Sequence, residues 1–301
     1  MSEILTTIEI MHAYIFPGQG TQFPGMGKKL YEKSKLAQEF FKRGNDILGF
    51  SITDVMFEGS IEDLKKTEIT QPAIFLHSFI LAKTLGNDFR PDMVAGHSLG
   101  ELSALAAIGV LDFEPALKLI YKRASIMQKV CELENTGMAV VAGLYDVIVQ
   151  NICSQVEGIV VPANYNTLKQ VVISGDIKAV KEVCNKLRPG ATAVVNLPVS
   201  GAFHSPFMKP TIQEFTLAIN ETKFKNPIYP IYQNVTARPS GDIKIIKKNL
   251  VNQLTHPVMW RHTILHMIED GATEFTEIGP GNFLSGLVRR IDKNIKTNRI
   301  S

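Results

Sequence analysis

The sequence predicts an α/β fold: a large body built on a parallel sheet, with a small βαββαβ unit inserted into it. Three observations point there. An apolar run at residues 91–95 feeds directly into Gly96-His97-Ser98-Leu99-Gly100 and then a helical stretch, the strand–turn–helix grammar of a parallel sheet. Long segments with apolar residues at helical spacing flank it on both sides. Between residues 133 and 197 the order changes to strand, helix, strand, strand, helix, strand, which matches a ferredoxin-like unit.

Taken in order, residues 12–16 form a short apolar strand that stops at Pro17-Gly18-Gln19-Gly20, a tight loop. Residues 26–48 carry apolar side chains at helical spacing, among them Leu30, Phe40, Phe41, Ile47 and Leu48. Gln71-Pro72 opens a second helix with an apolar face through Ile74, Phe75, Phe79 and Leu81. The strand at 91–95, a helix at 101–108 and an amphipathic helix at 113–130 complete the first part of the body. The inserted unit reads as strands at 138–144, 159–165, 170–174 and 192–197, with helices at 147–156 and 178–187. The body resumes with a largely helical stretch at 206–221, a β segment at 228–235 and helices near 243–254 and 261–268. It closes with a strand at 275–278, a Gly-Pro-Gly turn and a last helix. The expected division is residues 1–132 and 198–301 for the body and 133–197 for the small unit.

Composition sets the outer bounds. The chain has 301 residues, 45% hydrophobic and 20% charged, and carries a formal net charge of +3. These values describe a globular protein and exclude a disordered one. No Lys/Arg block interleaves with aromatics, so a nucleic-acid partner is not expected. No apolar run is long enough to span a bilayer, and residues 1–11 carry Glu3 and Glu9 without a basic leader, so neither a membrane nor secretion is expected. Residues 1–10 read as an extension ahead of the first strand, or as a misassigned start. Cys131, Cys153 and Cys184 are odd in number and form no CxxC pair, which fits reduced, inert side chains and no metal site.

The chemistry concentrates at few residues. In Gly96-His97-Ser98-Leu99-Gly100 the two glycines permit a sharp turn that projects the Ser98 hydroxyl, with a helix N-terminus aimed at developing negative charge. The same five residues also fit a plain Gly-rich βα turn. A serine needs a base. His204 stands apart from the other histidines, in an aperiodic loop where catalytic groups are favoured, although a surface histidine would look the same. His97 adjoins the serine, but neighbouring side chains at a turn diverge. His12, His77, His262 and His266 fall within regular elements, and His256 at a helix end. No acidic third member is evident; Asp242 lies in a polar turn, and a backbone carbonyl would serve instead. Amides of Gln19 and Leu99 could face an oxyanion if their loops meet, although from spacing alone residues 17–20 fit a plain turn better. Arg123 falls among Leu119, Ile120, Ile126 and Met127, where a guanidinium is costly unless it meets an anion, although by itself an ordinary exposed helix arginine fits the pattern better.

These pieces together resemble the malonyl-CoA:acyl carrier protein transacylases of fatty acid synthesis, and the related acyltransferase domains of polyketide synthases. The resemblance runs from about residue 13 to 290. It is carried by Phe16-Pro17-Gly18-Gln19-Gly20-Thr21-Gln22, Thr70-Gln71-Pro72-Ala73, Gly96-His97-Ser98-Leu99-Gly100-Glu101, Arg123 with Met127-Gln128, Pro198-Val199-Ser200 with Phe203-His204-Ser205, Gln253-Leu254 with Pro257-Val258 and Trp260, and Glu277-Ile278-Gly279-Pro280-Gly281. It implies a hydrolase-like α/β body with a ferredoxin-like subdomain. Ser98 would carry the malonyl ester and His204 would be its base and then acid. Gln19 and Leu99 would supply the oxyanion hole, Arg123 would bind the malonyl carboxylate, and the backbone carbonyl of Gln253 would orient His204. Met127, Asn166 and Val199 would line the pocket. Phe203, in the Ala202-Phe203-His204 ending shared with malonyl-selective members, would crowd an α-methyl branch. The resemblance further implies malonyl-CoA as substrate, an acyl carrier protein as partner, no metal or other cofactor, a cytoplasmic location and a monomer.

Three other readings use part of the same evidence. A stand-alone polyketide acyltransferase would share every residue. A serine esterase or thioesterase-like hydrolase would share the elbow and histidine but not need Arg123. A non-catalytic relative would not need an intact Ser98/His204 pair.

Overall fold

The computed structural model describes residues 11–199 and 201–301. The reading of residues 1–10 and Ser200 of the Pro198-Val199-Ser200 motif lie outside the described residues. The chain runs β1 (Met11–Phe16), α1 (Lys28–Lys33), α2 (Lys35–Leu48), α3 (Ile52–Glu58), α4 (Thr67–Thr84), β2 (Met93–Gly96), α5 (Gly100–Ala107) and α6 (Phe113–Leu133). The inserted unit follows as β3 (Thr136–Ala142), α7 (Asp146–Ser154), β4 (Val160–Thr167), β5 (Gln170–Asp176), α8 (Ile177–Leu187) and β6 (Ala193–Asn196). Then come α9 (Ile212–Glu221), β7 (Ile231–Tyr232), β8 (Pro239–Ser240), α10 (Ile243–Asn252), α11 (Trp260–Glu269), β9 (Ala272–Ile278), α12 (Phe283–Ile291) and β10 (Lys296–Ile300).

Two sheets result. The larger has the order β10-β9-β1-β2-β7-β8 and is parallel except for the β7–β8 edge. The smaller, β4-β5-β3-β6, is antiparallel throughout. Its connectivity is the ferredoxin-like one that the element order predicts. The central strands β1 and β2 are buried at nearly every position because helices cover both faces. One core lies under α2, α4, α5 and α6 and includes Phe41, Phe75, Leu105 and Ile120; a second, around Trp260, Phe275 and Leu287, packs the opposite face. A third, including Val141, Val171 and Val183, belongs to the small sheet and its two helices.

Several boundaries differ from the sequence expectation for identifiable reasons. The segment 26–48 is two helices, because Ser34 adopts an extended conformation and caps α2 by accepting the Ala37 N–H. The helix expected to open at Gln71-Pro72 opens instead at Thr67. It has no exposed face to speak of: Thr70, Gln71, His77 and Ser78 are buried with its apolar residues. The β segment at 228–235 shrinks to two residues, since Gln233 and Asn234 turn their polar groups inward, as described below.

Candidate active site

β1 and β2 are adjacent and parallel, with Phe16 paired to Gly96, so the two Gly-rich loops leave the sheet side by side at its carboxyl edge. The His97 N–H donates to the Phe16 carbonyl at 3.0 Å, which joins the loops directly. A Cβ on Gly96 would overlap the Gly100 backbone, and one on Gly100 would overlap the Phe16 carbonyl. Both positions therefore admit only glycine. Ser98 sits between them with φ of 53°, the left-handed strain expected of a nucleophile elbow.

Ser98 Oγ lies 2.8 Å from His204 Nε2 across 106 positions of sequence. His204 Nδ1 donates to the Gln253 carbonyl at 2.7 Å, leaving Nε2 as an acceptor facing the hydroxyl. His204 also has a positive φ, 56°, and its loop is anchored where Ser174 Oγ of β5 donates to the Phe203 carbonyl at 2.7 Å. Burial and the Arg123 charge push the imidazole down to about 3, so it is neutral at physiological pH and able to take a proton.

Arg123, on α6, is 1% exposed. Its Nη1 donates to Gln71 Oε1 at 2.7 Å; its Nη2 donates to Gln253 Oε1 at 3.0 Å and to Ser98 Oγ at 3.3 Å. All three acceptors are neutral. Among the described residues no carboxylate lies within ion-pair distance of this guanidinium, and its pKa falls to about 10 through desolvation. A buried cation held by neutral acceptors beside a serine hydroxyl is suited to receive an anion.

A cavity of about 260 Å³ opens over these groups, walled by Gln19, Leu99, Met127, Asn164, Val199 and Phe203. Among the described residues neither the Gln19 nor the Leu99 amide donates to a protein acceptor, so both are free for a ligand oxygen. Asn166, expected on the wall, stands behind it: its carboxamide is hydrogen-bonded to His97 Nε2 at 3.0 Å, and Asn164 of the same strand faces the cavity in its place. His97 is half-buried, and desolvation of its ring drops its pKa to about 4.

Four polar residues of the site went unassigned in the sequence. Glu101, in the first turn of α5, is fully buried and accepts from Gln233 Nε2, the Asn234 N–H and Gln253 Nε2, each at 2.9 Å. Asn234 spans the elbow, accepting the Ser98 N–H at 2.6 Å and donating to the Gly96 carbonyl at 2.6 Å. Gln71 sets Arg123. Glu101 and Gln71 fall inside motifs noted above; Gln233 and Asn234 carried no local signal. The side chains of three further histidines are engaged elsewhere: His77 lies in the core, and His256 and His266 bond backbone carbonyls. Asp242 caps α10. The three cysteines are buried and free. Among the described residues no cluster suits a metal ion, and no helix is long and apolar enough to cross a membrane.

The acyl transferase domain family matches residues 13–300. A malonyl CoA-acyl carrier protein transacylase of Staphylococcus aureus is 39% identical over 292 residues, covering 96% of this chain and 94% of that protein. The one of Bacillus subtilis is 38% identical over 295 residues, 96% and 93% of the two chains. The solved malonyl CoA-acyl carrier protein transacylase of Coxiella burnetii superposes with a TM-score of 0.93 at 33% identity, over 97% of this chain and 94% of that one. A malonyl-transacylase solved with a type II PKS acyl-carrier protein gives 0.93 at 33% identity, over 96% of both chains. The scaffold that brings the serine elbow, the imidazole and the buried guanidinium together is thus shared over nearly all of the chain, which belongs to the acyl transferase domain family, that of the malonyl CoA-acyl carrier protein transacylases.

Proposed function

We propose that this chain transfers a malonyl group from malonyl-CoA to the phosphopantetheine thiol of an acyl carrier protein, through a malonyl ester on Ser98, supplying fatty acid synthesis. The observation that carries it is the convergence on one hydroxyl: Ser98 Oγ has the His204 imidazole at 2.8 Å and the Arg123 guanidinium at 3.3 Å. Nε2 of His204 takes the Ser98 proton as Oγ attacks the thioester carbonyl. The amides of Gln19 and Leu99 hold the resulting oxyanion. Collapse breaks the carbon–sulfur bond, and the departing coenzyme A thiolate takes the proton back from His204. In the second half the carrier thiol gives its proton to His204 and attacks the ester, and Ser98 leaves as a hydroxyl. Both halves return His204 to its neutral state, and no cofactor enters.

Arg123 takes the free carboxylate of malonyl, exchanging neutral acceptors for a charged one. Met127, Val199 and Phe203 wall the acyl chain, with Phe203 placed to crowd a branched extender unit. The body of residues 1–132 and 198–301 supplies Ser98, Arg123 and His204; the unit of residues 133–197 supplies the Asn164 wall. The chain acts in the cytoplasm as a monomer. Intact mass measurement after brief mixing with malonyl-CoA tests the scheme: wild type gains one malonyl group, and Ser98→Ala gains none. A wild-type chain that stays unmodified ends this reading. The neighbour solved with a type II PKS carrier favours a second reading, a stand-alone polyketide acyltransferase; faster transfer to a polyketide carrier than to a fatty acid carrier would establish it.

A further inference from the structure

We infer that Glu101 is a positioning residue for the transfer reaction, fixing the nucleophile and the general base together through one buried carboxylate. The inference rests on the Ser98–His204 reading above.

The Ser98 backbone belongs to neither the strand nor the helix. β2 ends at Gly96 and α5 begins at Gly100. Its left-handed conformation costs on the order of 1–3 kcal/mol and persists only if the surroundings impose it. Two side chains do so. Asn234 Oδ1 accepts the Ser98 N–H at 2.6 Å, and Gln253 Nε2 donates to the Ser98 carbonyl at 3.1 Å. Asn234 Nδ2 also holds the Gly96 carbonyl. Gln253 has a second duty, because its main-chain carbonyl accepts His204 Nδ1 at 2.7 Å.

Asn234 and Gln253 come from separate segments, and Glu101 gathers both. Its Oε2 accepts the Asn234 N–H and Gln253 Nε2, and its Oε1 accepts Gln233 Nε2, all at 2.9 Å. Every partner is an N–H donor, so the ionised acceptor satisfies the site and a carboxamide cannot. The same carboxamide of Gln253 that donates to Glu101 accepts from Arg123, at 3.0 Å. The amide dipole therefore bridges cation and anion. Arg123 gains a counter-charge without losing its front face to a carboxylate, and burial raises the pKa of Glu101 while these donors and Arg123 oppose the rise.

Glu101→Gln keeps the shape and places an NH₂ against donors. The dyad shifts, and a displacement near 1 Å costs roughly 100-fold in rate. The measurement is acylation of Ser98 by malonyl-CoA and by acetyl-CoA, with kcat and KM separated, on enzyme shown to be folded by circular dichroism. The expected result is a kcat lower by roughly 100-fold for both donors, with KM within about threefold. Asn234→Ser keeps the backbone N–H to Glu101 and removes both elbow bonds. It gives the same pattern, and it provides the reading should Glu101→Gln not fold. Folded variants with wild-type kcat and only a lower melting temperature overturn the proposal. So does a loss confined to malonyl-CoA, which would make Glu101 a counter-ion for Arg123 alone. Failure of the underlying scheme is separate, since there the wild type itself forms no adduct.

Discussion

Replacing Arg123 with alanine separates binding of the acyl carboxylate from every other part of the chemistry. The guanidinium is 1% exposed and contacts only neutral acceptors, so a malonyl carboxylate entering the cavity would be the first anion in direct contact with it. Leaving that carboxylate buried without its partner costs about 3–5 kcal/mol, or roughly 200- to 5,000-fold in kcat/KM. Water entering the vacated volume pulls the loss toward the lower figure. The substitution also strands the acceptors on Gln71 and Gln253 and relieves His204 of a nearby cation. Those effects act equally on acetyl-CoA, which has no free carboxylate, and cancel in the malonyl-to-acetyl ratio. The assay is competitive acylation of Ser98 from a mixture of the two thioesters, read by intact mass. A ratio that moves less than about tenfold, the worth of one charged hydrogen bond, refutes the carboxylate clamp.

Other expectations follow from the same geometry. With His204 held near 3, the base stays neutral well into acid, so kcat/KM for acylation should be level from pH 7 to about 5 and fall only toward 3; an acid limb near 6.5 contradicts it. The unfolded chain binds that proton below about 6.5 and the folded one does not, so stability is complete above 6.5 and drains away as pH falls toward 3, which denaturant titrations at pH 7 and 5 should register. His77 and His97, both lowered to about 4, add in the same direction. Gly100→Ala should cost about 1–3 kcal/mol in stability and abolish labelling of Ser98, because its methyl would overlap the Phe16 carbonyl; a thermal melt and a fluorophosphonate probe read both. Cys131 and Cys153, pushed up to about 12 by burial, should react with a thiol reagent only on unfolding, and fast labelling of the native chain would be contrary.

How much of this was legible in the sequence depends on the distance over which each residue's meaning is set. The elbow was readable because strand, turn and helix are contiguous. Arg123 showed as a charge among apolar helix positions, a pattern that an exposed arginine fits better; its role came from the family resemblance. His204 showed only as a loop histidine; its role as partner of Ser98 came from the family resemblance, and the spacing of 106 residues carries no local trace. Glu101 and Asn234 were missed because each gains its meaning from a partner more than 130 positions away. A glutamate in the first turn of a helix ordinarily reads as a solvated residue facing the helix dipole. The edge strand β10 was missed for a different reason: Lys296, Asn298 and Arg299 are polar, as suits the rim of a sheet, and give no alternating apolar pattern.

The seam between the two sheets has a consequence of its own. Ser98 rides on the parallel sheet, whereas the loop bearing His204 is pinned to β5 of the antiparallel one by Ser174. Across the seam, β4 meets the body through paired backbone bonds between Val258 and the residues Ala163 and Tyr165, and the ion pair of Asp146 with Arg261 lies beside them. The placement of the His204 loop over Ser98 therefore depends in part on how the small sheet is seated against the body. Heating should extinguish turnover when that seating is lost, at a temperature where each sheet, followed by its own hydrogen exchange, still keeps its strands.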